Sequence, residues 1–211
     1  MASELKHVYC YQLGSGNCYK VGRTKNPPEK RMREFATGSP LKLSLYRDIE
    51  TENSSDLETY IHQLLDAKRA ENGEFFNVTA KELDEAVDRA VAFMGEFQPL
   101  LSEAKKLCRK KPNNTMAEPP SEMLNIYRQL RELSRERYLI EQRIAFLETK
   151  IQVAIGDNCG MKGVASWKWV DRWTMDIKRF KSEQEALYDK YKRNSSGRKF
   201  RLERVDLARG D

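Results

Sequence analysis

The chain has 211 residues, a net charge of +6 and 39% hydrophobic residues, including nine tyrosines and eight phenylalanines, which is enough apolar material for one large or two small domains. No run of 18 apolar residues occurs and the opening MASELKHVYC lacks the apolar stretch of a secretory signal, so neither spanning nor export is indicated and the cytoplasm is the expected location, that of the host if the chain is phage-encoded. Cys10, Cys18, Cys108 and Cys159 follow no CxxC or Cys/His metal spacing and read as reduced packing residues.

Residues 8–22, VYCYQLGSGNCYKVG, give a hairpin. Val8, Cys10 and Gln12 alternate with Tyr9, Tyr11 and Leu13, and Gly14 to Asn17 supplies the turn before an antiparallel return through Cys18 to Val21. Pro27 and Pro28 open a short helix over Glu29 to Phe35, stopped by Thr37 to Pro40. Leu41, Leu43 and Leu45 alternate with Lys42 and Ser44, the period of a half-buried strand running to Ile49. A second helix, capped by Ser54 or Ser55, carries Leu57, Ile61, Leu64 and Leu65 at helical spacing to about Ala70, before the Asn72-Gly73 breaker. Phe75 to Val78 reads as a third core strand, and Thr79 starts a helix with Leu83, Val87, Val91 and Met94 on one face, with a possible break at Gly95 and Pro99, to about Cys108.

Proline, asparagine and charge concentrate in 109–121, the expected linker between a unit at 1–108 and a basic helical unit at 122–211. Beyond the linker, Ile126, Leu130, Leu133, Arg137, Ile140, Ile144, Leu147, Ile151 and Ala154 alternate steps of four and three, a coiled-coil seam with only Arg137 off-pattern. Two readings stand open for it: dimerisation or docking of a phage or host partner through this helix, or packing of the helix on its own C-terminal segment. Ser166 to Trp169 reads as a strand, Met175 to Tyr191 as a helix and Lys199 to Val205 as a last strand. Residues 1–107 carry 15 basic and 17 acidic groups and residues 108–211 carry 23 and 15. A basic half beside a near-neutral one suits a chain that anchors on a polyanion.

Val8-Tyr9, then Tyr19-Lys20-Val21-Gly22-Arg23-Thr24, Glu29-Lys30-Arg31 and Glu58 resemble, in that order, the GIY-YIG nuclease superfamily, particularly its phage branch with a YKVG or YKIG second tripeptide, over roughly residues 5–80. Two positions depart from that pattern. His7 stands where the first glycine usually is, and Lys20 where the catalytic tyrosine of the second tripeptide usually is. Residues from about 127 to 202 resemble, by spacing alone, the appendage that follows the nuclease core of YqaJ-type viral recombinases. The resemblance implies an α/β fold with a three-stranded antiparallel sheet flanked by helices, and a metal-dependent DNA endonuclease of phage or prophage type acting on duplex or branched DNA. A catalytically inactive DNA-binding protein on the same fold, or a coiled-coil interaction protein, is the alternative.

By the same resemblance Glu58 holds a single magnesium or manganese ion, Arg31 binds the scissile phosphate, and Tyr9 orients or deprotonates the attacking water. A guanidinium suits phosphate because it offers paired donors without titrating. Lys20 has the chemistry of a point charge on phosphate or of a base with a lowered pKa, whereas Tyr19 points to the opposite strand face. His62, four residues after Glu58, shares its helical face, as a proton carrier or as a histidine satisfied by a neighbour. Glu74 and Asn77 flank the EFFN strand, and the amide of Asn77 is the better phosphate contact of the two. Arg23, Lys25, Lys30 and Arg33 read as backbone contacts or a solvated face. In the second half Trp167, Trp169 and Trp173 are expected mostly in the core, with base stacking beside Lys168 and Arg172 as the other use. Lys199 and Arg201 belong to the densest basic run, read as nonspecific DNA affinity.

Overall fold

Alternation and a glycine turn fix the centre of the sheet. β1 (Lys6–Leu13) and β2 (Cys18–Thr24) pair antiparallel, with Gly14 at φ +66° in the turn, where a side chain would be strained. The computed structural model describes residues 5–36, 42–70, 73–113 and 115–202. β3 (Leu43–Thr51) pairs with the free edge of β1 and β4 (Phe75–Asn77) with that of β2, all antiparallel, in the order β3-β1-β2-β4. The sheet therefore has four strands rather than three, because each hairpin strand gains an edge partner of its own. Leu41, expected to begin β3, and Asn72 lie outside the described residues.

The period of two sorts the side chains onto two faces. Tyr9, Tyr11 and Leu43 pack with Met32 and Phe35 of α1 (Pro28–Ala36) on one side. On the other, Val8, Cys10, Tyr19 and Val21 meet Leu57 and Ile61 of α2 (Ser54–Leu64) and Leu83, Val87 and Ala90 of α3 (Ala80–Cys108). Ile61, Leu83 and Phe76 are fully buried, roughly 1.5–3 kcal/mol of apolar transfer each.

The helix ends depart from the sequence reading in three places. Asn53, not Ser54 or Ser55, is the N-cap of α2, its carbonyl taking the amides of Asp56 and Leu57 while Ser54 is buried. The helix stops at Leu64 rather than near Ala70, and a 3-10 turn over Asp66–Lys68 leads to a bridge between Arg69 and Phe76. α3 starts from a reciprocal Thr79–Glu82 capping box and runs unbroken through Gly95 and Pro99. A proline ring crowds the carbonyl four residues back, and here that residue is the glycine at 95.

The described residues divide into two compact units, one from Met1–Lys110 with Arg198–Asp211, the other Lys111–Gly197. Residue 198 joins the first unit at Cys108, whose carbonyl accepts from the Arg198 amide at 3.2 Å. In the second unit α4 (Ser121–Ile155) is one continuous helix and buries only Ile155. Among the described residues, its seam is not covered by the segment that follows: Leu133, Ile140 and Leu147 are 61%, 53% and 57% exposed. β5 (Gly160–Met161) and β6 (Ala165–Ser166) form a small ribbon, so Trp167 to Trp169 lie beyond the strand. Met175 to Tyr191 splits at Gln184 into α5 (Ile177–Glu183) and α6 (Glu185–Tyr191). The expected core role for at least two of the three tryptophans fails, since Trp169 is 91% and Trp173 98% exposed. Lys199 to Leu202 form no strand, and 203–205 lie outside the described residues.

Candidate active site

The four-residue turn pairs Tyr9 with Gly22 and Tyr11 with Lys20 across the hairpin, so all four share the α1 face. The ring of Tyr9 lies directly on Gly22. A Cβ added at Gly22 would stand 2.5 Å from the Tyr9 hydroxyl, so only glycine leaves room for the phenol. Tyr9 stacks on Tyr11 with ring centroids 4.1 Å apart, and the Tyr11 hydroxyl donates to the Pro28 carbonyl at 2.6 Å. That bond ties the start of α1 to the sheet, and the helix then brings Arg31 close enough to the Tyr9 hydroxyl for its charge to act on the phenol.

Arg31 is held from several sides. Its Nη1 donates to Glu34 Oε2 at 2.7 Å, and its guanidinium lies 4.5 Å from the centre of the Phe35 ring. Burial pushes the Tyr9 phenol above its ordinary pKa, with Arg31 opposing and the charges of Glu74 and Glu58 adding to the rise. Tyr9 is therefore protonated at neutral pH. Because Arg31 can only donate to it, the phenol hydrogen is left to donate elsewhere.

Glu58 comes from α2 and reaches the end of β2, where Arg23 Nε meets its Oε2 at 2.8 Å. Its side chain is 16% exposed, and burial raises its pKa against the pull of Arg23 and His62. His62, one turn on, donates Nε2–H to the Val21 carbonyl at 3.1 Å and sets its ring edge-on to Phe76. It joins α2 to β2.

An open cleft of about 460 Å³ runs beside these groups, lined by Lys6, Arg23, Lys25 and Arg31 with Thr24, Asn26, Glu34 and Ser54. Its four cations against one carboxylate suit a polyanion. Lys30 and Arg33 are exposed on α1 and do not line it. Lys20 does not reach it either. Its ammonium is buried between the rings of Phe35 and Phe75, 4.6 and 5.1 Å from their centres, and ion-paired with Glu74. Asn77 pairs with Cys18, four residues along β2 from Gly22 and so roughly 13 Å from it. It is not gathered with Tyr9, Arg31 and Glu58. Lys199 and Arg201 are exposed outside any helix or strand.

Among the described residues, no three His, Cys, Asp or Glu side chains stand close enough to share a metal ion. A lone carboxylate is still a fit for magnesium, which keeps several waters and commonly binds through one or two carboxylates plus substrate phosphate. Glu58 acts on Tyr9 through its charge and is ion-paired with Arg23 of the cationic cleft.

Residues 6–91 match the T5orf172 domain. This is a phage-associated domain related to GIY-YIG/HNH-like nucleases, and it points to a nuclease-like or DNA-binding function. No curated protein and no solved structure matches the chain. The T5orf172 span contains Tyr9, Gly22, Arg31, Glu58, His62 and Asn77 and ends within α3, so α4 and everything beyond it lie outside the match. No helix among the described residues is long and apolar enough to cross a membrane.

Two contributors to the site were named in the sequence without the roles the structure gives them. Gly22 was legible: a turn over residues 14–17 pairs 13 with 18, and counting outward sets Tyr9 opposite Gly22. Glu74 was read only as a weaker phosphate-side residue, and its pairing with Lys20 spans 54 positions, which no local pattern announces.

Proposed function

We propose that the T5orf172 domain hydrolyses phosphodiester bonds in DNA with a magnesium or manganese ion held by Glu58. The observation that carries this reading is the convergence of Tyr9, Arg31 and Glu58 beside a cleft whose lining is cationic. Arg31 and Lys25 bind the phosphate backbone, and Arg31 offsets charge as it builds on the phosphoryl oxygens. Tyr9, protonated and beside Arg31, orients the attacking water through its free hydroxyl hydrogen. Water attacks phosphorus, one P–O bond breaks, and the products are a phosphate monoester and a hydroxyl. A divalent ion bound by Glu58 would supply Lewis acidity to the departing oxygen. Arg23 holds the Glu58 carboxylate when no ion does, and releases it to engage phosphate.

A second reading, DNA binding without cleavage, is favoured by Lys20. It stands where the resemblance expects a tyrosine, and its ammonium is engaged by Glu74 under two aromatic rings, which removes it from contact with substrate. Nicking of supercoiled plasmid and of a branched duplex, with magnesium, manganese or chelator, separates the two. The nuclease reading expects metal-dependent cutting that Glu58→Ala and Arg31→Ala abolish. Salt-dependent binding with no cutting on either substrate would replace it with the second.

A further inference from the structure

A long amphipathic helix leaves its apolar stripe in water only when something of the same period covers it. On α4, Ile126, Leu130, Leu133, Ile140, Ile144 and Leu147 are between 37% and 61% exposed. They follow steps of four and three over a seam that extends from Met123 to Ala154, the 3.5-residue repeat of a left-handed coiled coil. We propose that α4 pairs with α4 of a second copy of this chain in an antiparallel two-stranded coiled coil.

The charges choose the direction. In a parallel, in-register pair Arg137 would face the partner's Arg137 inside the seam, and Glu136 would flank the partner's Glu141. Reversing one helix removes the glutamate conflict and moves the two Arg137 side chains out of a shared layer into adjacent ones, each against an isoleucine. The layer that joins Arg137 to the partner's Ile140 also joins Ile126 to the partner's Ile151, Leu130 to the partner's Leu147, and Leu133 to the partner's Ile144. Every layer from Met123 to Ala154 is then filled. Glu136 flanks the partner's Arg143 on both sides of the pair, and Gln129 flanks the partner's Lys150, so no like charges oppose. The head of Arg137 leaves the seam toward Glu141 of its own helix, Nε to Oε1 3.5 Å. A single off-pattern cation at the middle of the seam thus sets orientation rather than merely weakening association. At 1.5 Å per residue, the two chains' linkers leave opposite ends of a rod roughly 50 Å long.

Sedimentation equilibrium of the full chain over a range of concentrations tests this. The expected mass is that of two chains, and Ile144→Asp should return it to one while the N-terminal unit melts unchanged. Glu136→Arg gives opposite signs for the two orientations. It opposes the partner's Arg143 in the antiparallel pair, raising the dimer Kd about tenfold at low salt, whereas it would relieve the repulsion from the partner's Glu141 in a parallel one and tighten it. The swap Glu136→Arg with Arg143→Glu should restore wild-type association. A mass of one chain at every concentration, a mass of three or more, an Ile144→Asp variant that stays dimeric, or tightening by Glu136→Arg would each overturn the proposal.

Discussion

Adding one methyl group under Tyr9 should damage stability and site together. In Gly22→Ala the new Cβ falls 2.5 Å from Oη, 2.7 Å from Cζ and 3.0 Å from Cε2 of Tyr9, against ordinary contacts of 3.4 Å or more. The ring must therefore move by about 1 Å, and it has nowhere easy to go: Tyr9 is 2% exposed and stacked on Tyr11. The backbone is not the obstacle, since Gly22 has no φ in the left-handed region. Overpacking of this kind costs about 1–3 kcal/mol, which for a domain of this size is a fall in Tm of roughly 10 °C. The same displacement shifts the phenol relative to Arg31, and an error of about 1 Å in a positioned group can cost on the order of a hundredfold in rate. Thermal melts and plasmid nicking on Gly22→Ala, Tyr9→Ala and the double variant measure both effects. Because the clash needs both partners, the cost of Gly22→Ala should largely vanish in the Tyr9→Ala background. A Gly22→Ala protein within about 0.5 kcal/mol of wild type and fully active would refute the reasoning.

Four further outcomes follow from the geometry. Lys20→Met should leave stability within about 1 kcal/mol or raise it, because a buried ion pair is a weak stabiliser and Glu74, 54% exposed, is not stranded by the loss; urea denaturation decides this. Magnesium should raise the Tm of the wild type but not of Glu58→Gln, as a ligand stabilises only the state that binds it. Lys25→Ala should reduce the slope of log K for DNA against log salt by about one while leaving sequence preference unchanged. Burial lifts the Cys10 thiol from 9.0 to about 12, and a hydrogen bond to Asp84, aided by burial, lifts the Tyr46 phenol from 10.0 to about 12. The stability these groups contribute is complete below their ordinary values and is lost as pH rises through the raised ones, so stability should fall between about pH 9 and 12 and Cys10→Ala should soften the fall.

The parts of the molecule that were legible are those whose physics is local. Alternation of Val8, Cys10 and Tyr9, Tyr11 sorted the two faces of β1 correctly, and Thr79 announced the start of α3. The parts that were not are those in which a residue's use depends on a distant partner. Aromatic content made burial the expected fate of the tryptophans, yet Trp169 and Trp173 are almost fully exposed. Lys20 is the sharper case. Register puts it inward, opposite Tyr11 and Phe75, and an ammonium there is tolerable only with a carboxylate within reach. Glu74 precedes β4 and its backbone carbonyl accepts from the Val21 amide, so the pairing that fixes β4 against β2 is also what carries that carboxylate to Lys20. The lysine in the YKVG motif is thereby committed to closing the sheet edge, and the chemistry proposed for the cleft rests on Tyr9, Arg31 and Glu58.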